Sequence, residues 1–240
     1  MKDGFDAVAN AFPWPDDAAL ADVHPFNWAL DGGGRHLINT VVASRPDAVL
    51  VEFGSFMGGS AVGFLEASPK LRMICCDPWG DNLIKYVASL VNQPWAVNSY
   101  GIELIEAYAT LVRYYGPMAI VRNNLERFRD RCVLIQEGIP GVYETLKNLG
   151  LAPDIIYLDA LKRHAEFWGA HQMFPDAIFT GDDWSWKDPE TNAFDVRDYA
   201  AEVAKARNAV IYADRATFVI SEPRHGLIID EKYRYEAPVA

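Results

Sequence analysis

The run Ala48-Val49-Leu50-Val51-Glu52-Phe53-Gly54-Ser55-Phe56-Met57-Gly58-Gly59-Ser60 decides the fold. Its first part, Ala48–Phe53, is apolar except for Glu52 and stops at a glycine. A short continuous apolar run of this kind reads as a strand covered on both faces, as in parallel sheets. The glycines after it permit a sharp turn and let the backbone approach a ligand closely. The helix expected next turns its free N–H groups and the positive end of its dipole toward an anion, and Ser60 adds a hydroxyl donor.

Working outward, the same alternation repeats. Arg72–Cys76, Cys132–Gln136, Ile155–Leu158 and Ala177–Thr180 read as further strands, with helical stretches such as Ala61–Ala67 and Val142–Leu149 between them. Alternating strands and helices predict an α/β fold with a doubly wound, mainly parallel, Rossmann-like sheet. Two last apolar runs, Ala209–Ala213 and Thr217–Ile220, flank Asp214-Arg215-Ala216 and predict a C-terminal antiparallel hairpin. Two segments depart from the pattern. The first 35 residues carry Trp14, Trp28 and the loop Asp31-Gly32-Gly33-Gly34-Arg35 before a helix near His36. Residues from about 78 to 131 form a helical insertion too long for an ordinary crossover, suited to a lid, a substrate wall or a homo-oligomer contact. No break in composition divides the chain, so residues 1–240 are expected to form one domain.

Charge narrows the partners. The chain has 33 acidic against 22 basic residues, a net charge of −11, and no Lys/Arg cluster to neutralise phosphates. A nucleic-acid partner is therefore not expected. The start of the chain lacks a charged-then-apolar signal pattern, and no stretch of about 18 uncharged apolar residues exists to cross a bilayer. Cys75, Cys76 and Cys132 sit in apolar runs and read as buried, reduced thiols. A soluble cytoplasmic protein is expected, with no membrane partner.

The glycine turn lacks the G-x-G-x-x-G spacing of a dinucleotide site. Glu52 at the strand end favours a ligand carrying an ammonium and a sulfonium over a pyrophosphate, while the helix end suits a carboxylate. S-adenosylmethionine carries all three. Asp77 closes the second strand, where an acid can accept both ribose hydroxyls.

A second cluster belongs to the later strands. Asp159 follows the fourth, and Asp182-Asp183 follow the fifth. If those strands are parallel neighbours, three carboxylates converge and need a cation or protons to balance them. Oxygen-only ligands favour Mg²⁺, with Ca²⁺ or Mn²⁺ as alternatives. Lys162 lies three residues past Asp159. It either meets an acceptor hydroxyl or neutralises the acids. Trp79, Trp184 and Trp186 either wall an aromatic acceptor or fill the core. His24, His36, His171 and His225 have no metal-ligand spacing and read as structural or surface residues.

These motifs resemble the class I S-adenosylmethionine-dependent methyltransferases, specifically the metal-dependent O-methyltransferases of the catechol and caffeoyl-CoA type. The likeness covers roughly residues 30–80 and 130–220. It rests on Gly32-Gly33-Gly34-Arg35, on Glu52-Phe53-Gly54 with Gly58-Gly59-Ser60-Ala61, and on the later acids. Asp182-Asp183-Trp184 is also similar to the macrolide-sugar type. The resemblance implies that Glu52, Gly54, Gly58 and Ser60 hold the methionine portion and Asp77 the ribose. Gly138 and Ile139 would line the adenine, and Asp159, Asp182 and Asp183 a divalent ion. It also implies Lys162 as general base. In the macrolide-sugar type a His takes that place, and here His164 falls two positions late.

The expected function is metal-assisted O-methylation of a small hydroxylated molecule: a phenol, a sugar or a secondary metabolite. The alternative is a non-catalytic binding protein that keeps the fold, favoured by Ile139 and Pro140 standing where polar adenine contacts are usual. A nicotinamide-dependent oxidoreductase is disfavoured by the glycine spacing.

Overall fold

The computed structural model of the protein describes residues 4–14, 35–188 and 190–236. Within Ala48–Ser60 the segment Val49–Phe53 forms β1, and all five residues of the strand are buried. The strands β2 (Arg72–Cys76), β3 (Cys132–Ile135), β4 (Ile155–Leu158) and β5 (Ile178–Gly181) fall within a residue or so of their expected bounds. All of these pair in parallel. Then β6 (Val210–Asp214) and β7 (Thr217–Ser221) make the expected hairpin, with β7 lying antiparallel to β5. A short strand the sequence did not announce, β8 (Arg234–Tyr235), pairs with β6 at the edge.

The strand order is β3-β2-β1-β4-β5-β7-β6-β8. Reading from β1, the chain first winds toward β3 and then returns to β4. The order therefore reverses between β1 and β4, and the carboxyl ends of these strands open a crevice there. Alternation along the strands gives the two faces different cores. Val51, Phe53, Ile156 and Leu158 point to one face, Leu50, Ile155 and Tyr157 to the other. Glu52 shares the second face with its neighbours in register, Cys75 and Tyr157.

Helices cover both faces. They include α1 (Phe5–Ala11), α2 (His36–Ser44), α3 (Gly59–Ala67), α8 (Gly141–Asn148), α9 (His164–Met173) and α10 (Asp195–Arg207). Between β2 and β3 the helical insertion expected over 78–131 is present as α4 (Asp81–Ser89), α5 (Pro94–Tyr100), α6 (Ile102–Tyr115) and α7 (Pro117–Leu125). Glycine and proline punctuate it: Gly101 and Gly116 bracket α6, and Pro94 and Pro117 open α5 and α7. The insertion has its own apolar core around Leu90, Ile105, Tyr108 and Val112. Met57, from the turn after β1, is buried in that core. Asn124 of α7 donates to the Met57 carbonyl at 2.8 Å.

Among the described residues no helix is long and apolar enough to cross a membrane. The three cysteines are buried and free, as expected. His24, Trp28 and the Asp31–Gly34 part of the glycine loop lie outside the described residues.

Candidate active site

A cavity of about 940 Å³ opens at the β1/β4 switch point. That is at the upper end of the usual range of roughly 300–1,000 Å³ for a ligand site. Its floor is the turn after β1. Gly54 has φ +90°, and a Cβ there would meet the Asp159 carbonyl oxygen at 2.0 Å. Only glycine lets the ends of β1 and β4 come this close. Gly54, Ser55, Gly59 and Ser60 line the cavity.

Two residues expected at the ligand act from outside the lining. Glu52 is fully buried beneath it and accepts a hydrogen bond from the Ser60 hydroxyl through Oε1. Its Oε2 has no partner among the described residues. Burial, only partly offset by Ser60, raises the Glu52 pKa above the ordinary carboxylate value. Gly58 is likewise not at the cavity. Its φ is +80°, and a Cβ there would press on Leu125 of α7 at 3.0 Å, so it serves turn geometry and packing.

Asp77 lines the cavity. Its carboxylate accepts the backbone N–H of Phe56 (3.0 Å) through Oδ2 and that of Trp79 (2.9 Å) through Oδ1. Burial raises its pKa, and these two bonds pull against the rise. Each oxygen keeps a second lone pair for a diol. Phe56 and Trp79 both take positive φ, 48° and 40°. The indole N–H of Trp79 donates to the Phe56 carbonyl, so the two flanks of Asp77 are tied together. Beyond Asp77 lie Gly138 and Ile139, which also line the cavity. Glu137 stands beside them, with Thr145 donating to its Oε2 at 2.8 Å. The sequence reading passed over Glu137. The signal available was its place just after the third strand.

The other end of the cavity carries the charge. Leu158 of β4 pairs with Gly181 of β5, so Asp159 and Asp182-Asp183 do leave neighbouring strand ends. Asp159 lines the cavity. Burial first, then repulsion from Asp182 and Asp183, hold its pKa well above the ordinary value. Asp183 is paired with Lys162, Nζ to Oδ2 2.7 Å. Arg35 Nη2 lies 4.0 Å from Asp182 Oδ2. Burial pulls the Lys162 amine down, but Asp183 and Asp159 outweigh it and leave its pKa above the usual lysine value. Arg35 lines the cavity beside Tyr157 and stays charged, its pKa raised despite burial by Tyr157, Asp182 and Asp159.

Three carboxylates at one edge are the donor set a hard cation would use. Among the described residues, however, no three His, Cys, Asp or Glu side chains are placed to share one ion. As arranged, the residues do not fit the expected Mg²⁺ site, because Asp183 and Asp182 face Lys162 and Arg35.

Over this end stand four aromatic rings, of which the sequence singled out only Trp186. Tyr86 of α4, Trp95 and Tyr100 of α5, and Trp186 line the cavity. Lys162 Nζ sits 5.5 Å from the centre of the Trp186 ring. The insertion thus supplies one wall. Of the expected tryptophans, Trp79 and Trp186 line the cavity, while Trp184 packs in the core against Phe218 and Tyr235. His164 is not part of the lining; it pairs with Glu202 on the surface at 2.7 Å. His171 accepts from Arg207 (3.0 Å), and His36 lies between Asp214 and Tyr233, 3.0 Å from each. His225 caps its own turn by accepting from the Glu222 N–H.

No protein-family model matches the chain, and no curated protein matches it in sequence. Solved structures do. The O-methyltransferase from Bacillus cereus in complex with SAH superposes with a TM-score of 0.52 at 17% identity, over 90% of this chain and 94% of that one. TomG from Streptomyces achromogenes, an O-methyltransferase involved in tomaymycin synthesis and bound to SAM, gives 0.44 at 16%, over 92% and 88%. Cofactor-bound Rv0187 from MTB gives 0.48 at 16%, over 90% and 86%. The parallel sheet with its reversal at β1/β4, the antiparallel β7 and the match to the Bacillus structure agree: this chain has the methyltransferase fold.

Proposed function

We propose that the protein is an S-adenosylmethionine-dependent O-methyltransferase acting on a small hydroxylated molecule. One observation carries this reading. A single cavity at the sheet's switch point joins a nucleoside-type end at Asp77, Glu137 and Ile139 to a charged end at Lys162 under aromatic rings.

The chain's groups suit that cofactor in kind. The N-terminus of α3 with Ser60 offers donors to a carboxylate. The buried Glu52, with one oxygen unpartnered, places negative potential under a cationic ligand. Asp77 has lone pairs for a ribose diol, Ile139 an apolar face for a base, and Glu137 an acceptor for an exocyclic amine. When bound, the cofactor supplies an electrophilic methyl group on a sulfonium. The presence of SAH in the Bacillus cereus enzyme of the same fold supports the assignment.

On the acceptor side, Tyr86, Trp95, Tyr100 and Trp186 flank the reacting hydroxyl and hold a small molecule in place. Lys162 meets that hydroxyl. A general base must be neutral, and the pairing with Asp183 keeps the proton on Lys162. Lys162 therefore works as a cation that orients the acceptor oxygen and stabilises the charge growing there, while the hydroxyl proton passes to the carboxylate of Asp159, which lines the cavity beside Lys162. Asp183 and Asp182, which would hold a divalent ion, are instead engaged by Lys162 and Arg35.

Calorimetry with S-adenosylhomocysteine and with NAD⁺ tests the cofactor, and label transfer from S-adenosylmethionine to a panel of phenols and sugars tests the reaction. Binding of S-adenosylhomocysteine with transfer to a hydroxyl is expected. Binding of NAD⁺ alone would overturn the reading, and cofactor binding without transfer to any acceptor would leave a binding protein.

A further inference from the structure

The acidic edge of the cavity is more unusual than the sequence suggested. Asp159, Asp182 and Asp183 are there, and so are two basic side chains drawn in from separate places. Lys162 comes from the loop after β4, and Arg35 from the residue before α2. Lys162 Nζ is 2.7 Å from Asp183 Oδ2, and the two side chains are only 27% and 28% exposed. Arg35 and Asp182 are more buried still, 15% and 17% exposed.

A second observation marks the Lys162–Asp183 pair as built rather than incidental. Both residues sit in the left-handed region, with φ of 58° and 63°. Non-glycine residues adopt that conformation at a cost, and two of them facing each other across neighbouring loops need surroundings that hold them there. The Trp186 ring covers the Lys162 ammonium at 5.5 Å.

We infer that Lys162 and Arg35 take the place of a divalent cation at the β4/β5 edge, so that the acceptor end of the cavity is complete without an ion. The charges balance on that basis. Three carboxylates against two basic side chains leave one negative charge, which the sulfonium of the proposed cofactor neutralises. Adding a divalent ion would leave the edge positive and drive Lys162 and Arg35 off their partners. The inference rests on the proposed function only in taking this cavity as the cofactor and acceptor site.

Ion binding by the purified full chain tests it without any acceptor. Mn²⁺ is titrated and the free ion followed by electron paramagnetic resonance, alongside calorimetry of S-adenosylhomocysteine with and without chelator. The native protein is expected to bind no Mn²⁺ below millimolar concentration and to bind S-adenosylhomocysteine equally with chelator present. Lys162→Met uncovers Asp183 and Asp159 and is expected to bind Mn²⁺ roughly tenfold tighter or more. Adding Asp183→Asn to it should remove the gain. Micromolar Mn²⁺ binding by the native protein would overturn the inference, as would no gain in the Lys162 variant. Should Lys162→Met fail to fold, Lys162→Gln makes the same test with a polar side chain. These readouts separate the inference from the cofactor assignment: if S-adenosylhomocysteine does not bind at all, the proposed function fails while the Mn²⁺ results still decide this question.

Discussion

At the nucleoside end of the cavity, polar side chains are held by backbone groups and hydroxyls. Asp77 takes two main-chain N–H groups, Glu52 the Ser60 hydroxyl and Glu137 the Thr145 hydroxyl. At the acceptor end, side chains of opposite charge hold one another: Lys162 with Asp183, and Arg35 with Asp182. The first end is positioned by turn geometry and tolerates little change of backbone. The second is positioned by charge and tolerates little change of side chain.

The sharpest way to break the nucleoside end is through its backbone. Gly54→Ala puts a Cβ 2.0 Å from the Asp159 carbonyl at a φ of +90°. A loss of about 3–5 kcal/mol in stability is expected, with loss of S-adenosylhomocysteine binding. A near-native urea midpoint would mean that β1 and β4 can part without harm.

The acceptor end breaks through charge. Lys162→Met should lower turnover by about 10²–10³ while changing S-adenosylhomocysteine affinity by less than about threefold. The pH profile separates cation from base. Lys162 has a raised pKa in the folded protein, so its pairing with Asp183 is fully present below the unfolded-state lysine value and is lost as pH rises through the folded one. Turnover should therefore fall in that alkaline range, and a rise there would make Lys162 the base. The melting temperature should decline over the same range in the native protein more than in Lys162→Met.

Smaller effects sharpen the comparison at the nucleoside end. Asp77→Ala should weaken S-adenosylhomocysteine binding by about 1–3 kcal/mol, measured by calorimetry. Glu137→Gln should cost about 0.5–1.5 kcal/mol and narrow the preference for S-adenosylhomocysteine over its inosine analogue, which lacks the exocyclic amine. An unchanged preference would take Glu137 away from the base.

How much of this was legible follows the same division. Continuous apolar runs and glycine turns announced β1 to β5 and the hairpin, because burial on both faces leaves no other composition. Asp77 and Asp159 were legible for a related reason: strand ends at a switch point are fixed by the topology. Arg35, Glu137 and the rings of α4 and α5 reach the cavity through tertiary packing of segments distant in sequence, and no local spacing encodes that. Glu52 and Gly58 show the converse. Glu52 falls in β1 and Gly58 in the turn after it, as the ligand reading required, yet one lies beneath the lining and the other against α7. The three acids were brought to one edge as expected, but the sequence could not show that Lys162 and Arg35 would face them.

Met57 sits in the core of the insertion although it belongs to the turn that follows β1. Gly58 rests against Leu125, and Asn124 bonds to the Met57 carbonyl. The turn that cradles the proposed cofactor and the helices that wall the acceptor are thus one mechanical piece. Replacing α4–α7 with the insertion of another protein would strip the apolar covering from Met57 and loosen the floor of the proposed cofactor seat. Acceptor preference in this chain is better altered ring by ring, at Tyr86, Trp95 and Tyr100, than by exchanging the whole cap.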